Sequence, residues 1–70
     1  MTKLPERLRL LRKERHMTQA ETAQAMEMVY ITYRRYETGE REPDASTLVR
    51  MADFYQVTLD YLVGRSEERS

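Results

Sequence analysis

Apolar residues recur along the chain at helical spacing and not at the alternation of a strand. Leu4, Leu8 and Leu11 form one stripe over about Pro5 to Arg15, with Leu10 left outside it. Pro5 suits a first helical turn, Glu6 the positive N-terminal end, and Lys13 and Arg15 the negative C-terminal end. His16 stands where the chain must leave this helix, a place that favours Gly or Asn. A second helix is announced by Thr18-x-x-Glu21, a capping box, and runs from Gln19 to Met26 with Ala23 and Met26 inward. After only Glu27-Met28-Val29 the period restarts. It predicts a third helix over about Tyr30 to Thr38, with Gly39 as its stop.

Beyond it, Glu40-Arg41-Glu42-Pro43 reads as an extended connector, because the residue before a proline is pushed out of the helical region. Asp44 caps a fourth helix with Leu48, Met51, Ala52 and Tyr55 on its inner stripe. Thr58 caps a short fifth helix through Leu62, stopped by Gly64. The expectation is an all-α, compact five-helix domain over residues 1–65, with residues 66–70 a frayed polar tail. Leu8, Leu11, Ala23, Met26, Tyr36, Leu48, Met51, Ala52, Val57 and Leu62 are its expected core.

Two short helices joined by about three residues cross steeply, as in a helix-turn-helix, here over about residues 18–38. That geometry lets the third helix stand out and enter a DNA major groove. At about 100° per residue, Val29, Tyr33 and Tyr36 share one sector, with Glu37 at its edge. Ile31, Arg34, Arg35 and Thr38 lie opposite, flanked by Tyr30 and Thr32. The outer sector carries groove-reading chemistry: arginine pairs bidentately with guanine, and isoleucine touches a thymine methyl. Gln19, at the positive end of the second helix, is placed to contact a phosphate or to buttress the reading helix, and Arg41 to contact a phosphate.

A chain of 70 residues, 40% hydrophobic and 34% charged, forms one small globular domain with no room for a cleft between subdomains. Net charge is zero, which is unusual for a nucleic-acid binder, but its distribution is uneven. Residues 1–41 hold nine Lys or Arg against six Glu, and residues 42–70 hold three Arg against six acids, so the reading helix sits in the positive half. There are no cysteines, which fits a cytoplasmic protein. No apolar run is long enough for a membrane span, and the N-terminus lacks a secretory signal. The lone His16 has no cysteine near it to make a metal site, and no nucleophile–base pair or phosphate-cradling glycine loop can be assembled. The expectation is no enzyme and no cofactor.

The chain resembles the lambda-repressor/Cro-like (Xre) helix-turn-helix family over about Leu4 to Gly64. The matching pieces are R-L-R-x-L-R at Arg7–Arg12, T-Q-x-E-x-A at Thr18–Ala23, R-Y-E-x-G at Arg35–Gly39, Arg41 with Pro43, Thr47-Leu48, and V-T-L-D-Y-L-V-G at Val57–Gly64. The resemblance implies a regulator that binds operator DNA as a symmetric dimer, with Gln19, Tyr30, Ile31 and Arg35 facing the groove. It also implies an ion pair between Arg12 and Glu37. Tyr61, Val63 and Leu10 are the apolar candidates for a dimer contact. Three departures stand out. Glu27 occupies the turn position where glycine is usual, Val29 stands where a Ser or Thr cap is usual, and Thr22 and Tyr33 replace aliphatic residues. They predict a reshaped turn, with the third helix beginning a residue or two late. The function expected is a sequence-specific transcriptional regulator, a repressor on a palindromic operator. The alternative is an antitoxin-like or adaptor module whose third-helix face meets a protein partner.

Overall fold

A computed structural model describes residues 2–70. It folds them into five helices: α1 (Leu4–Glu14), α2 (Gln19–Ala25), α3 (Tyr30–Thr38), α4 (Ala45–Tyr55) and α5 (Leu59–Val63). Among the described residues there is no strand. The expected all-α, five-helix fold is the one observed, with helix ends shifted by a residue at most.

Side chains fix three of the starts. The Thr18 hydroxyl accepts the Glu21 N–H at 3.0 Å, and the Glu21 carboxylate accepts the Thr18 N–H at 2.8 Å. Asp44 accepts the Thr47 N–H at 2.8 Å, and Thr58 that of Tyr61 at 3.0 Å. Each cap satisfies a backbone donor that the helix itself leaves unpaired.

The helix ends explain how the α2–α3 turn forms without glycine. Glu27 adopts the left-handed conformation at φ 56°. Its N–H donates to the Gln24 carbonyl at 3.0 Å, and the Met28 N–H reaches back to the Ala23 carbonyl at 2.8 Å. These are the two bonds of a Schellman ending. His16 (φ 57°) and Gln56 (φ 58°) close α1 and α4 with the same pair of bonds. The expected reshaping therefore does not occur: α3 begins at Tyr30, although Val29 makes no side-chain cap. The left-handed region costs a residue with a Cβ about 1–2 kcal/mol. Glu27→Gly is expected to raise stability by about 0.5–1 kcal/mol, the relieved strain being offset partly by the freer unfolded chain. Urea denaturation measures this; a lower midpoint would contradict it.

α1 packs on α3 and α5, α2 on α3, and α4 on α5. Leu8, Met51, Leu62 and Tyr33 are fully buried at the centre, with Leu4, Leu11, Ala23, Met26, Tyr36, Ala52 and Tyr55 around them. Leu48 and Val57 lie at the rim of this core, partly buried.

Two expectations about exposure are corrected. Tyr61 is buried, with the Arg7 guanidinium stacked 4.1 Å above its ring and Arg69 at 5.2 Å. The tail expected to fray folds back instead. The Arg69 carbonyl accepts the Thr58 N–H at 2.9 Å, and its guanidinium grips Glu14 with bonds of 2.7 and 2.8 Å. Arg7 is itself buried and donates to the carbonyls of Tyr61 (2.8 Å) and Ser66 (3.2 Å) and to Glu67 (2.9 Å). A buried guanidinium needs several acceptors, and the tail supplies two of them.

Candidate nucleic-acid interface

α3 divides its residues cleanly. Tyr33, Tyr36 and Glu37 face the core and are buried. Tyr30, Ile31, Arg34, Arg35 and Thr38 are exposed, and Thr32 is half-buried between the two faces. Val29, placed in the inward sector by the helical wheel, is instead 70% exposed. It precedes the helix with extended backbone (φ −64°, ψ 133°), where helical periodicity does not apply.

The inward face is anchored by Glu37, which is 1% exposed. Arg12 on α1 donates from Nε to Oε2 at 2.7 Å and from Nη2 to Oε1 at 3.2 Å. Its third donor, Nη1, reaches the Met17 carbonyl at 3.0 Å. The Gln19 amide, on the first residue of α2, donates to Glu37 Oε1 at 3.0 Å. One carboxylate thus joins α1, α2 and α3. Burial pushes the Glu37 pKa up, but hydrogen bonds from Arg12, Tyr33 and Gln19 outweigh this and hold it below the ordinary carboxylate value. Tyr33 in turn sets its hydroxyl 2.9 Å from that of Tyr55 on α4, both buried. Burial, then the neighbouring Glu37 and Tyr55, drive the Tyr33 phenol far above its usual pKa.

Two arginine–carbonyl bonds and one arginine stack complete the support. Arg9 donates to the Glu37 carbonyl and Arg50 to the Met26 carbonyl, pinning the ends of α3 and α2. Arg15 stacks over Phe54 and Tyr55. None of these, nor the tyrosine pair, was anticipated from sequence. Position 7 could have been, since it falls on the same inward stripe as Leu4, Leu8 and Leu11.

Among the described residues the side-chain ion pairs are Arg7–Glu67, Arg12–Glu37 and Arg69–Glu14; Arg34, Arg35 and Arg41 take part in none. The Thr38 hydroxyl is engaged locally, with the Arg35 carbonyl (3.1 Å) and the Glu40 side chain (2.8 Å) within hydrogen-bond reach. Arg41 is exposed on the connector just past α3. Of the expected set, the structure gathers Tyr30, Ile31, Arg34 and Arg35 on the outside of one helix. It places Gln19 beside Glu37 and leaves Thr38 and Arg41 at the helix's far end.

The sequence profile of the Helix-turn-helix family matches residues 8–62. This chain belongs to that family, in its lambda-repressor-like (Xre) branch. The helix-turn-helix domain is 38% identical over 65 residues to the uncharacterized HTH-type transcriptional regulator YqaE of Bacillus subtilis, covering 91% of this chain and 56% of that protein. It is 38% identical over 63 residues to the cryptic phage CTXphi transcriptional repressor RstR of Vibrio cholerae, covering 90% and 56%. A crystal structure of a transcriptional regulator from Listeria innocua superposes with a TM-score of 0.84 at 29% identity, covering 97% of this chain and 64% of that one. The chain thus spans about half the length of the curated relatives it matches. In this helix-turn-helix domain the α2–α3 turn is made by Glu27 in the left-handed conformation.

Proposed function

We propose that this domain is a sequence-specific, DNA-binding transcriptional regulator of repressor type, with α3 lying in the major groove of a palindromic operator. The observation that carries the reading is the outer face of α3. It holds Tyr30, Ile31, Arg34 and Arg35, exposed and outside every ion pair among the described residues, on a helix locked from behind by Glu37. Arg35 is the base-contacting residue, bidentate to guanine, and Ile31 meets a thymine methyl. Tyr30, Thr32, Arg34 and Thr38 line the groove, while Gln19 and Arg41 contact phosphates on either side. RstR, named as a transcriptional repressor, supports the regulatory sense.

The largest dimension of the domain is 27 Å, less than one helical turn of DNA at about 34 Å, so one copy covers one half-site. Two copies related by a twofold axis then read a palindrome. Leu10 on α1, Val49 on α4 and Leu59 on α5, all exposed, and the half-buried Val63 are apolar residues available for that contact, in place of the buried Tyr61. Its place of action is the cytoplasm, where operator DNA is accessible; among the described residues no helix is long and apolar enough to cross a membrane.

The second reading is an antitoxin-like or adaptor module that binds a protein through α3. Its support is the run of exposed apolar residues Val29, Tyr30 and Ile31, together with zero net charge. Selection of binding sites from a random DNA pool separates the two. The DNA reading expects an inverted repeat with half-sites about one turn apart, and an affinity that falls linearly with log salt. Failure to enrich any sequence would favour the protein partner.

A further inference from the structure

Three of the five helices begin on a side chain that accepts a backbone N–H of the first turn: Thr18 for α2, Asp44 for α4 and Thr58 for α5. At the start of α1 the Thr2 hydroxyl accepts the Leu4 N–H at 3.2 Å. Among the described residues α3 alone begins with no side-chain acceptor. Its N-cap is Val29, and its first bond runs from the Tyr33 N–H to the Val29 carbonyl at 3.0 Å. Valine here leaves the first-turn donors without the bond that a serine or threonine supplies, which lowers stability. The core does not compensate. Val29 is 70% exposed, the most exposed of the large apolar residues. A residue that neither caps its helix nor buries apolar surface is unfavourable twice over in the free domain. Departures of this kind from local preference collect at functional sites.

The neighbouring surface says what Val29 meets. Tyr30 and Ile31 follow it and are exposed, and Arg34 and Arg35 continue the outer face of α3. The apolar end of α3 is therefore its N-terminal end, the end at which a reading helix contacts base edges. In the major groove the bases present hydrogen-bond donors, acceptors and one apolar group, the thymine C5-methyl. The side chain of Val29 has neither donor nor acceptor, so that methyl is the one base feature it can select. We propose that Val29 is a specificity-determining residue, packing against a second thymine methyl on a base pair neighbouring the one met by Ile31. This rests on the DNA-binding reading above. The helix cap is exchanged for a base contact, so the domain is less stable alone and more selective on its operator.

Deoxyuridine lacks only the C5-methyl of thymidine, so it removes the contact from the DNA side without touching the fold. The full chain, Val29→Ser and Val29→Thr are titrated against the operator selected from the random pool, with each thymine of one half-site replaced in turn by deoxyuridine. The native chain is expected to lose about fourfold in affinity at each of two thymines, the factor that one buried methyl is worth. Val29→Ser should bind the unmodified operator about fourfold more weakly for each half-site. It should be indifferent to deoxyuridine at one of the two thymines and keep the other, which belongs to Ile31. Val29→Thr retains one methyl and should lie between. Melting temperatures should run the opposite way, highest in Val29→Ser, whose hydroxyl caps α3. A merely structural valine would not move affinity and stability in opposite directions. Native-like operator binding by Val29→Ser, retention of both deoxyuridine-sensitive thymines, or a lowered melting temperature would overturn the role of Val29 and leave the DNA reading standing. A native chain that selects no operator would overturn the DNA reading itself, and the exposed run from Val29 to Ile31 would then be the face of a protein partner.

Discussion

Glu37→Ala is expected to destabilise the domain by about 3–5 kcal/mol, the range for stranding one member of a buried ion pair. The side chain of Glu37 is fully buried and that of Arg12 is 13% exposed, so solvent screens the pair little. Removing the carboxylate leaves the Arg12 guanidinium and the Gln19 amide without their shared acceptor. Domains are stable by roughly 0.05–0.15 kcal/mol per residue, so in a chain of 70 residues this loss removes much of the total. Thermal and urea melts of Glu37→Ala, Arg12→Ala and the double variant check it. The double variant should lose less than the sum, because it strands no charge. A loss near zero in Glu37→Ala would mean that the pair does not hold α1 to α3.

The same site sets a pH dependence. Glu37 titrates below its ordinary value of 4.5 when folded, so the folded state favours its ionised form. A carboxylate with a depressed folded pKa contributes stability above the unfolded value and loses it as pH falls through the folded one. The stability gap between the native chain and Glu37→Gln should be full near neutral pH. It should narrow once pH drops below about 4.5.

Much of this was legible because helix starts are written in local chemistry. Thr18 with Glu21, Asp44 and Thr58 each sit within three residues of the N–H they cap. Helix ends were less legible at the α2–α3 turn. The cost of a left-handed Glu27 can be read from sequence, but not the two backbone bonds from Glu27 and Met28 that offset it. Val29 was misplaced for a related reason: a helical wheel continues past the point where the helix starts. The inner and outer faces of α3 followed from periodicity alone. The groups behind it did not. The hydroxyl pair of Tyr33 and Tyr55 joins residues 22 positions apart, and the Tyr61 ring is covered by Arg7 from α1 and by Arg69 returning from the tail. Neither leaves a periodic trace in the sequence.

Arg35→Ala is expected to cost about 1–3 kcal/mol of binding on the preferred operator and to relax specificity at one position in each half-site. The expectation follows from where the side chain stands. It projects from the exposed side of a helix whose opposite side is fixed by Glu37, and it enters no ion pair among the described residues. A guanidinium so presented can pair bidentately with a guanine edge, and its removal penalises the right base more than the wrong one. Arg41 differs in kind. It lies past the end of α3 on the connector, so Arg41→Ala should weaken all sequences about equally and flatten the salt slope by about 0.9. A protein-binding domain predicts neither pattern. In that case both variants leave a weak DNA affinity unchanged, while Ile31→Asp abolishes partner binding by placing a charge in the exposed apolar patch. Titrating the three variants against selected and random duplexes separates the cases. If operator binding is indifferent to Arg35, the outer face of α3 is not the surface that reads the bases.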